Sequence, residues 1–121
     1  MIVVDTSIWI DHLRAGDDLL AKLLNAGRVL THPFVIGELA LGTMRQRETI
    51  LEALSNLPSA ELARDAEVLS FINRQALFGR GIGYVDVHLL ASARLTAGAQ
   101  LWTRDYRLRS VAEELELAIA P

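Results

Sequence analysis

Short apolar runs alternate with amphipathic helical stretches from one end of this chain to the other. That alternation constrains the fold more than any other feature of the sequence. Ile2-Val3-Val4, Arg28-Val29-Leu30-Thr31 and Gln100-Leu101-Trp102-Thr103 read as strands, and weaker strands are expected at residues 59–62 and 117–119. A first helix, which Asp5, Thr6 or Ser7 can cap, ends at Gly16, and Asp17-Asp18 open a second. Further helices are expected at residues 33–41, 45–54, 64–77, 85–97 and 108–115. Strands joined through helices run parallel, so the expectation is an α/β domain. Helices cover both faces of a mostly parallel central sheet of about four to five strands.

The 121 residues make one domain, spanning 1–121, with no internal repeat or linker. Hydrophobic residues make up 51% of the chain, which argues against disorder. No run reaches the roughly 18 apolar residues of a membrane span, and Met1 leads into a strand with no basic leader. Cysteine is absent, so no disulfide or thiolate metal site is available. The expected setting is the cytoplasm. A formal charge of −3 does not suit a protein that coats nucleic acid indiscriminately. Its cations are nearly all arginine, however, with Lys22 the sole lysine. Arginine binds phosphate bidentately, so a local basic rim is compatible with an acidic whole. Arg14, Arg45, Arg47, Arg80, Arg104 and Arg107 are the candidates for that rim, and Arg104, Arg80 and Arg45 are singled out among them as phosphate-binding residues. A solvated surface explains any one of them equally simply.

Most of the acids fit solvated helix faces or first turns, and four do not. Asp5 ends the first strand, where open α/β sheets place their ligands. Glu38 has Phe34, Val35, Leu41 and Gly42 as its helical neighbours, and Asp86 has Ile82, Gly83, Leu89, Leu90 and Ala93. A carboxylate on an apolar face needs a cation, a metal or a cleft to offset its desolvation. Asp105 follows the strand that ends at Thr103. Each has a plainer explanation: Asp5, Asp86 and Asp105 as helix caps or first-turn acids, and Glu38 on a narrow exposed stripe. Their common placement favours one acidic pocket. Carboxylates crowded together stay ionised only beside a cation, and all-oxygen ligation suits Mg2+ or Mn2+ rather than zinc. Such a site is suited to hydrolysing a phosphodiester with an activated water. No P-loop, dinucleotide loop, zinc-protease spacing or nucleophile elbow competes with this reading. His12, His32 and His88 read as structural or surface residues, and Asp11 lies on a different helical face from Ser7.

Asp5-Thr6-Ser7-Ile8-Trp9-Ile10-Asp11 resembles the opening motif of PIN domains, specifically those of VapC-type toxins from bacterial toxin–antitoxin pairs. Val35-Ile36-Gly37-Glu38-Leu39, the run from Gly81 to Ala91 around Asp86, and Leu101-Trp102-Thr103-Arg104-Asp105 are similar to the family's later landmarks, in order and across the whole chain. The resemblance implies a three-layer α/β/α PIN-like fold and a Mg2+- or Mn2+-dependent endoribonuclease. Asp5, Glu38 and Asp86 would be metal ligands, and Asp105 would bind directly or through water. Thr6, Ser7 and Thr103 would support the carboxylates or the attacking water. It also implies RNA as substrate, a cognate VapB-type antitoxin and a homodimer. Rival readings are a nuclease acting on DNA or structured nucleic acid, a catalytically silent PIN binding module, and a receiver domain. The last lacks its late lysine here.

Overall fold

The computed structural model describes residues 1–119. The elements run β1 (Ile2–Val4), α1 (Thr6–Ala15), α2 (Asp18–Asn25), β2 (Val29–Leu30), α3 (Pro33–Leu41), α4 (Arg47–Ser55), α5 (Asp65–Arg74), α6 (Tyr84–Leu95), β3 (Gln100–Trp102) and α7 (Tyr106–Glu114). The sheet order is β2-β1-β3, and both pairings are parallel. Single parallel bridges extend it at each side, Thr31 to Ser59 and Leu101 to Ala118. The weaker expected strands at residues 59–62 and 117–119 thus survive only as one bridged residue each. The result is the expected α/β/α architecture, with a three-strand ladder flanked by two bridged edges.

The strands are short and apolar because they are buried on both faces, as parallel sheets require. The centre of the core is α6, whose residues from Val87 to Ala93 are all buried. Val3, Ile8, Leu20, Leu89, Leu90 and Leu108 are fully enclosed and join the sheet to helices.

Helix ends differ from expectation where the backbone turns left-handed or a side chain caps earlier. Gln46 at φ 52° delays α4 to Arg47, and Ala76 at φ 51° follows the early end of α5 at Arg74. Asp105 accepts from the Arg107 and Leu108 amides, which starts α7 two residues before the expected 108. Thr96 is extended, so α6 stops at Leu95. No helix among the described residues is long and apolar enough to cross a membrane.

Candidate metal centre

The strand register brings the first two groups together. Val4 pairs with Trp102, and the ladder continues one step as the Asp5 amide donates to the Trp102 carbonyl at 2.9 Å. Asp5 therefore stands beside Thr103 at the carboxyl edge of the sheet. Asp5 occupies the N-cap position of α1, yet its side chain makes no capping bond. Its Oδ2 instead accepts from the Thr103 hydroxyl at 2.8 Å and from the Ser7 hydroxyl at 2.7 Å. At 6% exposure it is a buried carboxylate held by two neutral donors.

Glu38 reaches the same edge from α3, and its Oε1 accepts from the Thr6 hydroxyl at 2.7 Å. The expectation that Glu38 lies on a buried apolar face is corrected here: Glu38 is exposed, and so are Phe34, Gly37 and Leu41, the last at 91%. Val35 and Leu39 are the buried residues of α3, with Ile36 partly buried against the core. Apolar side chains on a surface helix mark no core by themselves.

Asp86 is half-buried in the first turn of α6, and its Oδ2 accepts from the Gly83 amide at 3.0 Å. Burial pushes its carboxyl pKa upward, the Gly83 hydrogen bond opposes that, and the negative charges of Asp5, Asp105 and Glu38 push it further up. Asp5, Asp105 and Glu38 thus all lie within electrostatic reach of Asp86. The helix-cap and pocket readings coincide at Asp86 and Asp105, since one oxygen of each caps its helix. Among the described residues, Asp5 Oδ1, Glu38 Oε2, Asp86 Oδ1 and Asp105 Oδ2 accept no protein hydrogen bond. Nor does any of the four acids form an ion pair there, although Asp11, Asp17, Glu67, Glu113 and Glu114 each do.

This donor set fits a hard divalent cation in chemistry and in charge. It is not a closed cage, for among the described residues no three His, Asp or Glu groups converge tightly enough to hold an ion by themselves. An open set of carboxylates matches Mg2+, which keeps several waters and relies on substrate phosphates for its remaining ligands.

The arginines divide. Arg104 Nε lies 2.7 Å from Asp11 Oδ2, and its Nη2 lies 2.7 Å from Asp17 Oδ2. Its backbone amide donates to the Ser7 hydroxyl at 3.2 Å. The Arg104 guanidinium is thus paired with two carboxylates, while its side chain stays 46% exposed. It clamps the β3–α7 turn to α1 and to the start of α2, and its amide feeds the chain Arg104–Ser7–Asp5. Arg80 is likewise engaged, with Glu114. Arg45 remains exposed, and with Arg14 and Glu38 it lines a cleft of about 720 Å³ between α1, α3 and α4. The partners of Arg104 escaped the sequence reading because Asp17 pairs with it across 87 positions.

The histidines are structural. His12 Nδ1 accepts from the Asp17 amide, and His32 Nδ1 accepts from the Phe34 amide to cap α3. His32 Nε2 meets the buried Ser92 hydroxyl at 3.1 Å. His88 is edge-on to Phe34 and Tyr84, with its Nε2 3.3 Å from Asp65 Oδ1 but outside hydrogen-bonding geometry.

The PIN domain family model matches residues 2–114. Ribonuclease VapC32 of Mycobacterium tuberculosis, in strains CDC 1551 / Oshkosh and H37Rv, is 48% identical to this chain over 120 residues. The alignment covers 99% of this chain and 97% of that protein. The chain belongs to the PIN domain family and, within it, to the VapC-type proteins.

Proposed function

We propose that this protein is a metal-dependent endoribonuclease that acts as the toxin of a VapBC-type pair. The observation that carries this reading is the set of four neighbouring carboxylates, each with an uncommitted oxygen and none with a cationic partner among the described residues. The kinship with a protein named ribonuclease VapC32 supports RNA as the substrate and a VapB-type antitoxin as the partner.

Asp5, Glu38, Asp86 and Asp105 would hold Mg2+ or Mn2+. The bound ion would supply Lewis acidity toward the phosphodiester and the attacking water. Ser7 and Thr103 fix one oxygen of Asp5, and Thr6 fixes one of Glu38, so the free oxygens are oriented before substrate arrives. The water oxygen bonds to phosphorus as its proton passes to bulk solvent. The P–O bond to one ribose breaks, and that oxygen takes up a proton from solvent. Arg45 and Arg14 line the cleft beside Glu38 and give the RNA backbone a positive wall. The toxin works in the cytoplasm as a homodimer, with the antitoxin supplying control.

Expression of the chain alone should arrest growth, and sequencing of the new RNA ends would name the target. The Asp5→Asn chain should be harmless and soluble. Equal toxicity of that variant, or cleavage of DNA in preference to RNA, would overturn the proposal.

A further inference from the structure

We infer that Tyr106 and Arg107 form an RNA grip on the β3 side of the acidic centre, in which Arg107 takes a backbone phosphate and Tyr106 stacks on an unpaired base. The inference rests on the nuclease reading for its substrate class, and its geometry is independent of that reading.

Arg107 is tied to both acid-bearing segments. Its backbone amide donates to Asp105 Oδ1 at 2.9 Å. Its side chain lies over Gly81, two residues before the Gly83 amide that anchors Asp86. A Cβ on Gly81 would stand 2.9 Å from Arg107 Nη1 and 3.0 Å from Cδ, so the arginine packs directly on the glycine and a side chain there would shift it. Gly81 also has φ +79°, which glycine adopts freely. The guanidinium carbon lies 5.7 Å from the Tyr106 ring centroid, and Nε donates to the Tyr106 hydroxyl at 3.2 Å.

Arg107 is therefore seated but unspent. Unlike Arg104 and Arg80, it forms no ion pair with any described acid, and its remaining N–H groups have no protein acceptor there. A planar fork with open donors suits a phosphate. Tyr106, at 66% exposure, presents an aromatic surface of the kind on which single-stranded bases stack. A cationic group beside four acids also supplies positive charge where the whole chain, at −3, would repel a polyanion.

The test is fluorescence anisotropy with a labelled, randomised 12-nucleotide single-stranded RNA, titrated over a range of salt without divalent cation. It is paired with Mn2+-driven cleavage of total bacterial RNA. Arg107→Gln should lose about tenfold in affinity and lower the log–log salt slope by about 0.7, one single-strand phosphate contact. Tyr106→Leu should lose about fivefold or more with the slope unchanged, and Tyr106→Phe should retain most of the affinity. Both residues are exposed, so thermal midpoints should stay with the parent. Parent-like affinity and slope in Arg107→Gln and Tyr106→Leu, with the parent still cleaving RNA, would overturn the grip and leave the nuclease reading intact. An Arg107-dependent slope in a parent that cleaves no RNA would uphold the grip and overturn the nuclease reading. Absence of RNA binding by a parent that still cleaves RNA would overturn the grip alone, and a parent that neither binds nor cleaves RNA would overturn both.

Discussion

The Thr103 hydroxyl donates to Asp5 Oδ2 across 98 positions of sequence, and Thr103 Oγ1 in turn accepts from the Asp105 amide at 3.1 Å. One buried hydroxyl thus links the ends of β1 and β3 and couples two of the four acids. Donor and acceptor roles are both filled, so the hydroxyl orients Asp5 and the start of the β3–α7 turn together.

Thr103→Val keeps the shape and removes the hydroxyl. It should cost about 1–3 kcal/mol of stability, because the Asp105 amide loses its acceptor and the buried Asp5 carboxylate keeps only Ser7. Cleavage should fall by about 10–100-fold, the usual effect of removing a group that orients a ligand. Thr103→Ser should restore most of both. Urea unfolding and RNA cleavage read the two effects, and a Val variant with parental activity would detach Thr103 from the site.

Asp86→Asn should stabilise the metal-free protein. Its raised pKa means that burial and three neighbouring negative charges oppose ionisation. The stability tied to the protonated carboxyl is present below the unfolded pKa and lost as pH rises through the folded one. At neutral pH the folded protein therefore carries a repulsion that the amide relieves. In the parent, Mn2+ at about a hundred times its Kd should add about 2.7 kcal/mol, and Asp86→Asn should lose most of that gain. Thermal scans with Mn2+ and with chelator give both values. A lower metal-free midpoint in the variant would contradict the account.

Arg104→Ala should loosen the turn that carries Asp105 by removing the ion pairs to Asp11 and Asp17, while the backbone amide at 104 still donates to Ser7. The ion pairs are partly exposed, so the stability loss should be about 1 kcal/mol. Arg104→Lys should recover less than half of it, since one ammonium cannot match the fork across Asp11 and Asp17. The salt dependence of RNA binding should be unchanged in both variants, because the Arg104 guanidinium is already occupied. A reduced salt slope would return Arg104 to the RNA surface.

Acid should destabilise the fold through His32. Burial, and then the nearby His88, push the His32 pKa down to about 4 from 6.5. The folded state holds the imidazole neutral while the unfolded chain takes up a proton, so stability falls as pH drops from 6.5 toward 4 and is unaffected above that window. The slope should correspond to a few kcal/mol across the window, on the order of 1.4 kcal/mol per pH unit. His32→Asn keeps an acceptor for the Phe34 amide and should flatten the curve. Denaturant melts at pH 7 and pH 5 make the comparison, and equal pH dependence in both proteins would exclude His32 as the cause.

The sequence by itself determined the order of elements and the parallel sheet, and it put the four acids forward as candidates. Those features are written in local periodicity and in the residues next to strand ends: Ile2-Val3-Val4 before Asp5, and Leu101-Trp102-Thr103 before Asp105. The pocket reading nevertheless relied on a wrong premise at Glu38. Periodicity tells which residues share a face but not whether another element covers it, and the outer stripe of α3 is open. Caps at Asp86 and Asp105 were legible because a cap is a local bond. The fate of the arginines was not. Arg104 meets Asp11 and Asp17, Arg80 meets Glu114, and Arg107 rests in the space left by Gly81, all at separations along the chain that no local pattern encodes. Charge type is fixed residue by residue, but whether a charge is spent on the fold or left for a ligand is decided only when distant segments meet.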